Sequence, residues 1–86
     1  EFGFVNMVVP VDQLEQKGHE WAAKLAQKSP LALQMAKRAF YLAADMDYYK
    51  AFECMTDNLA RLCTTDDCKE GINAFMEKRQ PIWKER

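Results

Sequence analysis

Ser29-Pro30-Leu31-Ala32-Leu33-Gln34-Met35-Ala36-Lys37-Arg38-Ala39-Phe40-Tyr41-Leu42-Ala43-Ala44-Asp45-Met46 is the stretch on which the fold class turns. Serine caps helices, and proline suits the first helical position because its missing N–H would find no partner there. Leu33, Ala36, Phe40 and Ala43 then mark one helical face, and Ala32, Met35, Ala39, Leu42 and Met46 an adjacent one. Together they give an apolar surface broader than a helix with one covered side requires, so the helix is expected to be covered on two sides. Lys37 and Arg38 take the narrow polar face.

Downstream, Asp45 or Asp47 is placed to cap a further helix with the stripe Tyr48, Phe52, Met55, Leu59 and Leu62. Thr64-Thr65-Asp66-Asp67 punctuates the chain. A threonine cap followed by acids suits the positive end of a helix dipole. The helix it opens turns Cys68, Ile72, Phe75 and Met76 inward, and Pro81 is expected to stop it. Upstream, Asp12 and Glu15 have the spacing of a capping box. Val11, Leu14, Trp21, Ala22 and Leu25 form a stripe interrupted by Gly18, where a close backbone approach would rationalise the glycine. Before Pro10, Phe4 to Val9 is apolar and β-branched and reads as a short strand. Nothing later in the chain offers it a partner, so its backbone groups would go unmatched. The expectation is an all-α fold of three to four helices after a short N-terminal extended segment. Residues 1–10 are read as the end of a preceding unit, and 11–86 as a helical domain.

Composition bounds the function. An isolated chain of 86 residues buries only about 60% of its unfolded surface. Its apolar fraction of 49% argues for a folded chain rather than disorder. The net charge of −1 supplies no field for nucleic acid or an anionic membrane. Trp21, Trp83, Tyr48 and Tyr49 lack the basic stripe a nucleic-acid platform needs. No apolar run approaches the roughly 20 residues of a membrane span. Cys54, Cys63 and Cys68 are odd in number and follow no signal-peptide pattern, which reads as reduced thiols in a cytoplasmic protein. With one histidine, they are too few and too scattered for a zinc site, so no metal is expected. Cys54 and Cys68 are read as small core residues. His19 lies off its helix's apolar stripe and reads as solvated, with no nucleophile placed beside it.

Three segments carry a resemblance. Gly3-Phe4-Val5-Asn6-Met7-Val8-Val9-Pro10 resembles the Gly-Leu-Val-Asn-x-Val-Val-Pro segment of the enoyl-CoA hydratase/isomerase (crotonase) superfamily. Lys28 to Leu33, followed by Ala36-Lys37-Arg38, resembles the start of that family's next helix. Thr65-Asp66-Asp67-Cys68-Lys69-Glu70-Gly71-Ile72-Asn73-Ala74-Phe75-Met76-Glu77-Lys78-Arg79 resembles its terminus, Thr-x-Asp-x-x-Glu-Gly-x-x-Ala-Phe-x-Glu-Lys-Arg. The three occur in the family's order and cover nearly the whole chain.

The resemblance implies a piece of a longer protein, which the start at Glu1 without a methionine also suggests. In that protein, a repeated ββα spiral precedes this segment and carries the CoA pocket, the oxyanion hole and the catalytic acids. This segment would be the C-terminal helical oligomerisation domain of a trimer or hexamer. No catalytic residue is therefore assigned, and the chain alone is expected to be inactive. No cofactor is implied, since the coenzyme A thioester is the substrate. Within the family, water addition to an α,β-unsaturated thioester is the leading expectation. Isomerase and hydrolase chemistry share the layout, and a non-enzymatic oligomerisation module is the reading from a different class. Two substrate-binding candidates follow from the resemblance. Lys78 would reach the adenosine phosphate end of CoA in an adjacent subunit, with Arg79, Lys84 and Arg86 adding positive potential. Leu59 matches a position near the acyl end of the pocket, although its spacing also makes it a core residue of its stripe. Glu70 and Glu77 read as solvated or subunit-facing surface.

Overall fold

Pro10 starts the first helical turn. The computed structural model describes residues 2–86. Among them a single 3₁₀ turn over Val11–Gln13 leads into helix α1, Leu14–Ala26. Three further helices follow: α2, Pro30–Ala43; α3, Tyr48–Cys63; and α4, Asp66–Met76. The described residues contain no strand, in keeping with the all-helical expectation. The strand expected over Phe4–Val9 does not form. Its residues are irregular, and Phe4 stands 90% exposed. The physical reason is the one visible in the sequence: a strand is stabilised by pairing, and the described residues hold no second strand to pair with.

The caps show where local chemistry decides. Ser29 Oγ accepts the Ala32 N–H at 3.2 Å, with Pro30 in the first turn as expected. Asp47, rather than Asp45, caps α3 by accepting the Lys50 N–H at 3.1 Å. Thr65 Oγ1 caps α4 by accepting the Cys68 N–H at 3.1 Å. Each such cap contributes about 1 kcal/mol. The Asp12–Glu15 capping box is absent. The Pro10 carbonyl accepts the Gln13 N–H at 2.9 Å, so Asp12 already lies inside a helical turn and lacks the extended backbone a cap needs.

Helix α4 ends at Met76, well before Pro81. The Arg79 N–H donates to the Ala74 carbonyl at 3.0 Å and the Lys78 N–H to the Phe75 carbonyl at 3.3 Å. Lys78 has φ +53°. This is the Schellman pattern, with lysine in the left-handed position that glycine usually takes. Carbonyls of the last turn thus find partners before proline intervenes.

Helix α2 packs mainly on α3, and α4 meets both. Asn58 Nδ2 ties α3 to α2 by donating to the Met35 carbonyl at 3.3 Å. Ala39 and Ala74, 2% and 1% exposed, are the buried apolar side chains among the described residues. Two alanines cannot make a core. The opposite side of α2 stays open, with Phe40 65% exposed. The surface is 7833 Å², whereas a compact monomer of this mass exposes roughly 5,200 Å². The radius of gyration, 16.3 Å, likewise exceeds the ~12 Å of a compact chain of this length. The chain carries an excess of apolar surface, and the two-sided cover expected for α2 is half supplied.

Candidate functional site

The residues after Met76 form no regular element, yet several hydrogen bonds tie them to the helices. Two carboxylates of α4 hold them. Asp67 is 2% exposed. Its Oδ1 accepts the Lys84 N–H at 2.7 Å, and its Oδ2 accepts the Glu85 N–H at 3.2 Å and the Ser29 hydroxyl at 3.0 Å. Its own N–H donates to the Arg86 carbonyl at 2.8 Å. Ser29 therefore does two things at once: it caps α2 and donates to the residue that holds the tail. Trp83 adds a longer tie, its Nε1 donating to the Gln27 carbonyl at 2.9 Å. Gly71 lets its ring lie close, since a Cβ there would sit 3.3 Å from Trp83 Cη2.

The second anchor is Glu70. Arg79 spreads its guanidinium over both Glu70 oxygens, Nη2 to Oε2 at 3.1 Å, and its Nε donates to Glu77. The Ile82 N–H donates to Glu70 Oε1 at 3.0 Å. The Arg79 hydrogen bonds first, and the Ile82 N–H second, hold the Glu70 carboxyl down to about 2. Hydrogen bonds to Glu70 first, and Glu77 second, raise the Arg79 pKa above its ordinary value.

This arrangement revises the electrostatics expected from sequence. Glu70 and Glu77 are partners of Arg79 rather than free surface carboxylates. Arg79 thus spends its charge inside the chain instead of adding positive potential. Arg86 is similarly engaged, with Nε 3.3 Å from Asp66. Lys78 remains exposed at the left-handed turn and makes no ion pair among the described residues. Any anion it meets is met by a single ammonium acting as a point charge.

Leu59 lies elsewhere. It is 59% exposed and lines a shallow groove between α2 and α3 with Ala36, Phe52, Met55 and Leu62. In this chain it is therefore no core residue, and Lys78 is not among the residues lining that groove. His19 is exposed, its Nε2 3.7 Å from Glu15. The cysteines are all free, with Cys63 exposed and Cys54 and Cys68 half-buried. Burial, with Cys63 beside it, pushes the Cys68 thiol above its ordinary pKa, which leaves it a poor nucleophile. Among the described residues no three His, Cys, Asp or Glu side chains gather to hold a metal ion. No helix among the described residues is long and apolar enough to cross a membrane. Sequence reasoning missed Asp67 and Glu70 as tail anchors. Their signal was faint, because acids in a helix's first turns already have a sufficient reason in the dipole.

Comparison with known proteins places these features. A family model described as enoyl-CoA hydratase/isomerase matches residues 1–86. The chain is 38% identical over 85 residues to the rat enoyl-CoA hydratase domain-containing protein 3, mitochondrial, covering 94% of this chain and 27% of that protein. Among solved structures it resembles an enoyl-CoA hydratase/isomerase from Mycobacterium paratuberculosis, with a TM-score of 0.87 and 31% identity over 98% of this chain and 33% of the other. An enoyl-CoA hydratase from Bacillus anthracis also gives 0.87, with 35% identity over 95% of this chain and 32% of the other. The chain thus spans about a third or less of the proteins it matches, and what it matches is their C-terminal helical region. With all of its residues matched by one family model, this chain belongs to the enoyl-CoA hydratase/isomerase family.

Proposed function

We propose that this chain is the C-terminal helical domain, residues 11–86 with the segment 1–10 leading in, of an enzyme that adds water to an α,β-unsaturated coenzyme A thioester. The observation that carries this reading is the family match over residues 1–86, joined to the many large apolar side chains left exposed. On this reading the exposed faces of α2 and α3 are covered by the rest of the enzyme and by neighbouring subunits of a trimer or hexamer. Negative charge on the thioester oxygen would be stabilised by donors outside these 86 residues, where the acid and base also lie. No cofactor enters, because the thioester itself is the substrate. The segment supplies Lys78 to the adenosine phosphate end of CoA in an adjacent subunit, and Leu59 to the acyl end. The compartment is the cytoplasm or, as the rat relative's name has it, the mitochondrion.

The test is hydration of crotonyl-CoA by the full-length parent, followed by loss of the conjugated absorbance. The parent should turn over, and the 86-residue chain should not. Isomerisation or thioester hydrolysis by the parent, without hydration, would move the reading to a different reaction of the same family. Turnover by the 86-residue chain would overturn the placement of the catalytic groups. The second reading, a non-enzymatic oligomerisation module, draws on the same exposed apolar surface. A parent that assembles but processes no acyl-CoA would favour it.

A further inference from the structure

The exposed lysine at the end of α4 does not choose its own position. Lys78 holds φ +53°, a conformation that residues with a Cβ keep only when their surroundings impose it. Two sets of bonds impose it here. On one side, the Ala74 and Phe75 carbonyls receive the N–H groups of Arg79 and Lys78. On the other, the Arg79 side chain reaches back along α4 to both oxygens of Glu70, and the same carboxylate accepts the Ile82 N–H. The peptide that carries Lys78 is thus pinned to the helix end and to a carboxylate in the middle of the helix.

We infer that Glu70 and Arg79 are positioning residues for Lys78, setting where its ammonium stands. The inference rests on the proposed contact between Lys78 and the phosphate of CoA. Lysine is a point charge on a flexible stem, so the origin of that stem decides which anion it reaches. Charge alone works the other way, since Glu70→Gln removes a carboxylate and frees Arg79. A loss of phosphate binding in that variant therefore reports position and not charge.

The test compares two ligands, CoA and 3′-dephospho-CoA, by calorimetric titration of the full-length parent. The readout is the ratio of their dissociation constants, which a general loss of stability would not move. Lys78→Ala should lower the preference for CoA roughly tenfold, the scale of one charge-assisted hydrogen bond. Glu70→Gln should lower it about fivefold on the same scale while leaving dephospho-CoA binding nearly unchanged. Glu70→Asp, which keeps the charge, should restore part of the preference. The double variant should behave like Lys78→Ala alone, because positioning matters only while the lysine is present. If Glu70→Gln does not yield folded protein, Arg79→Lys removes the fork and should give the same fall. A preference untouched by Glu70→Gln, an equal weakening of both ligands, or full additivity with Lys78→Ala would overturn the inference. A preference untouched by Lys78→Ala would overturn the phosphate contact itself, and the inference with it. That result is told apart by coming from the lysine variant alone.

Discussion

The two ends of this chain are held by opposite means. The last residues, 77–86, have no regular structure but are tied by backbone and side-chain hydrogen bonds to Asp67, Glu70 and Gln27. The first residues, 2–26, include a full helix, yet their apolar side chains lie open, from Phe4 to Val11 and Leu25. Regular secondary structure is therefore a poor guide to which part of this molecule is fixed. Polar anchors inside the chain fix the tail. The leading segment and α1 lack such anchors, and any apolar cover for them has to come from outside residues 2–86.

Removing the central anchor should give the largest effect. Asp67→Ala deprives Ser29, Lys84 and Glu85 of their acceptor, and leaving such groups unpaired costs about 3 kcal/mol. Urea denaturation of the full-length parent would report it. Amide exchange should accelerate at Lys84 and Glu85 and not along α1. An equal rise in both regions would break the contrast between the two ends. The next effect is local. Thr65→Ala removes the α4 cap and should cost about 1 kcal/mol, with the loss concentrated in the same half of the chain.

These anchors also show how far the sequence could be read. Helices α2, α3 and α4 were legible because each has its own local signal: Ser29-Pro30, Asp47 and Thr65 all act where their residue types predict. The end of α4 was not, because a lysine in the left-handed position gives no warning where a glycine would. The tail was illegible for a different reason. Its bonds join residues 17 and 18 apart, Lys84 and Glu85 to Asp67, and use backbone N–H groups that every residue possesses. Lys78 was singled out through the family motif. Its freedom from partners became visible only when Arg79 was seen to be engaged. Leu59 shows the reverse limit, since helical spacing marks an apolar stripe without saying whether this chain covers it.

A smaller effect is pH-dependent and belongs to the tail alone. Glu70 lies at about 2 in the folded chain against an ordinary value near 4.5. A lowered folded value means that the unfolded state binds more protons between those limits. The contribution of the Glu70–Arg79 pair is thus complete above about pH 4.5, shrinks as pH falls through the window, and is gone below about pH 2. Both groups are partly exposed, so added salt should weaken the effect. Glu70→Gln should flatten the acid side of the stability profile. An unchanged profile would mean that the pair contributes little to folding in solution.

The smallest effects set the two ends against each other through their glycines. Both Gly18 and Gly71 sit inside helices, where alanine is worth up to about 1 kcal/mol more than glycine. Around Gly18 no atom from beyond its own stretch of helix lies within 4 Å of an added Cβ, so the close approach expected there is not made among the described residues. Gly18→Ala should therefore raise the helix content of the 86-residue chain, measured by circular dichroism. At Gly71 the new methyl would meet Trp83 Cη2 at 3.3 Å and Cζ3 at 3.4 Å. The ring has to move by a few tenths of an ångström while its Nε1 stays bonded to the Gln27 carbonyl. That strain offsets the helical gain, and Gly71→Ala should change stability by less than about 0.5 kcal/mol. The full-length parent sharpens the comparison. If Gly18→Ala destabilises the parent while stabilising the 86-residue chain, a neighbour occupies the space against Gly18. The open side of α1 would then be an interface, held from outside as the tail is held from within.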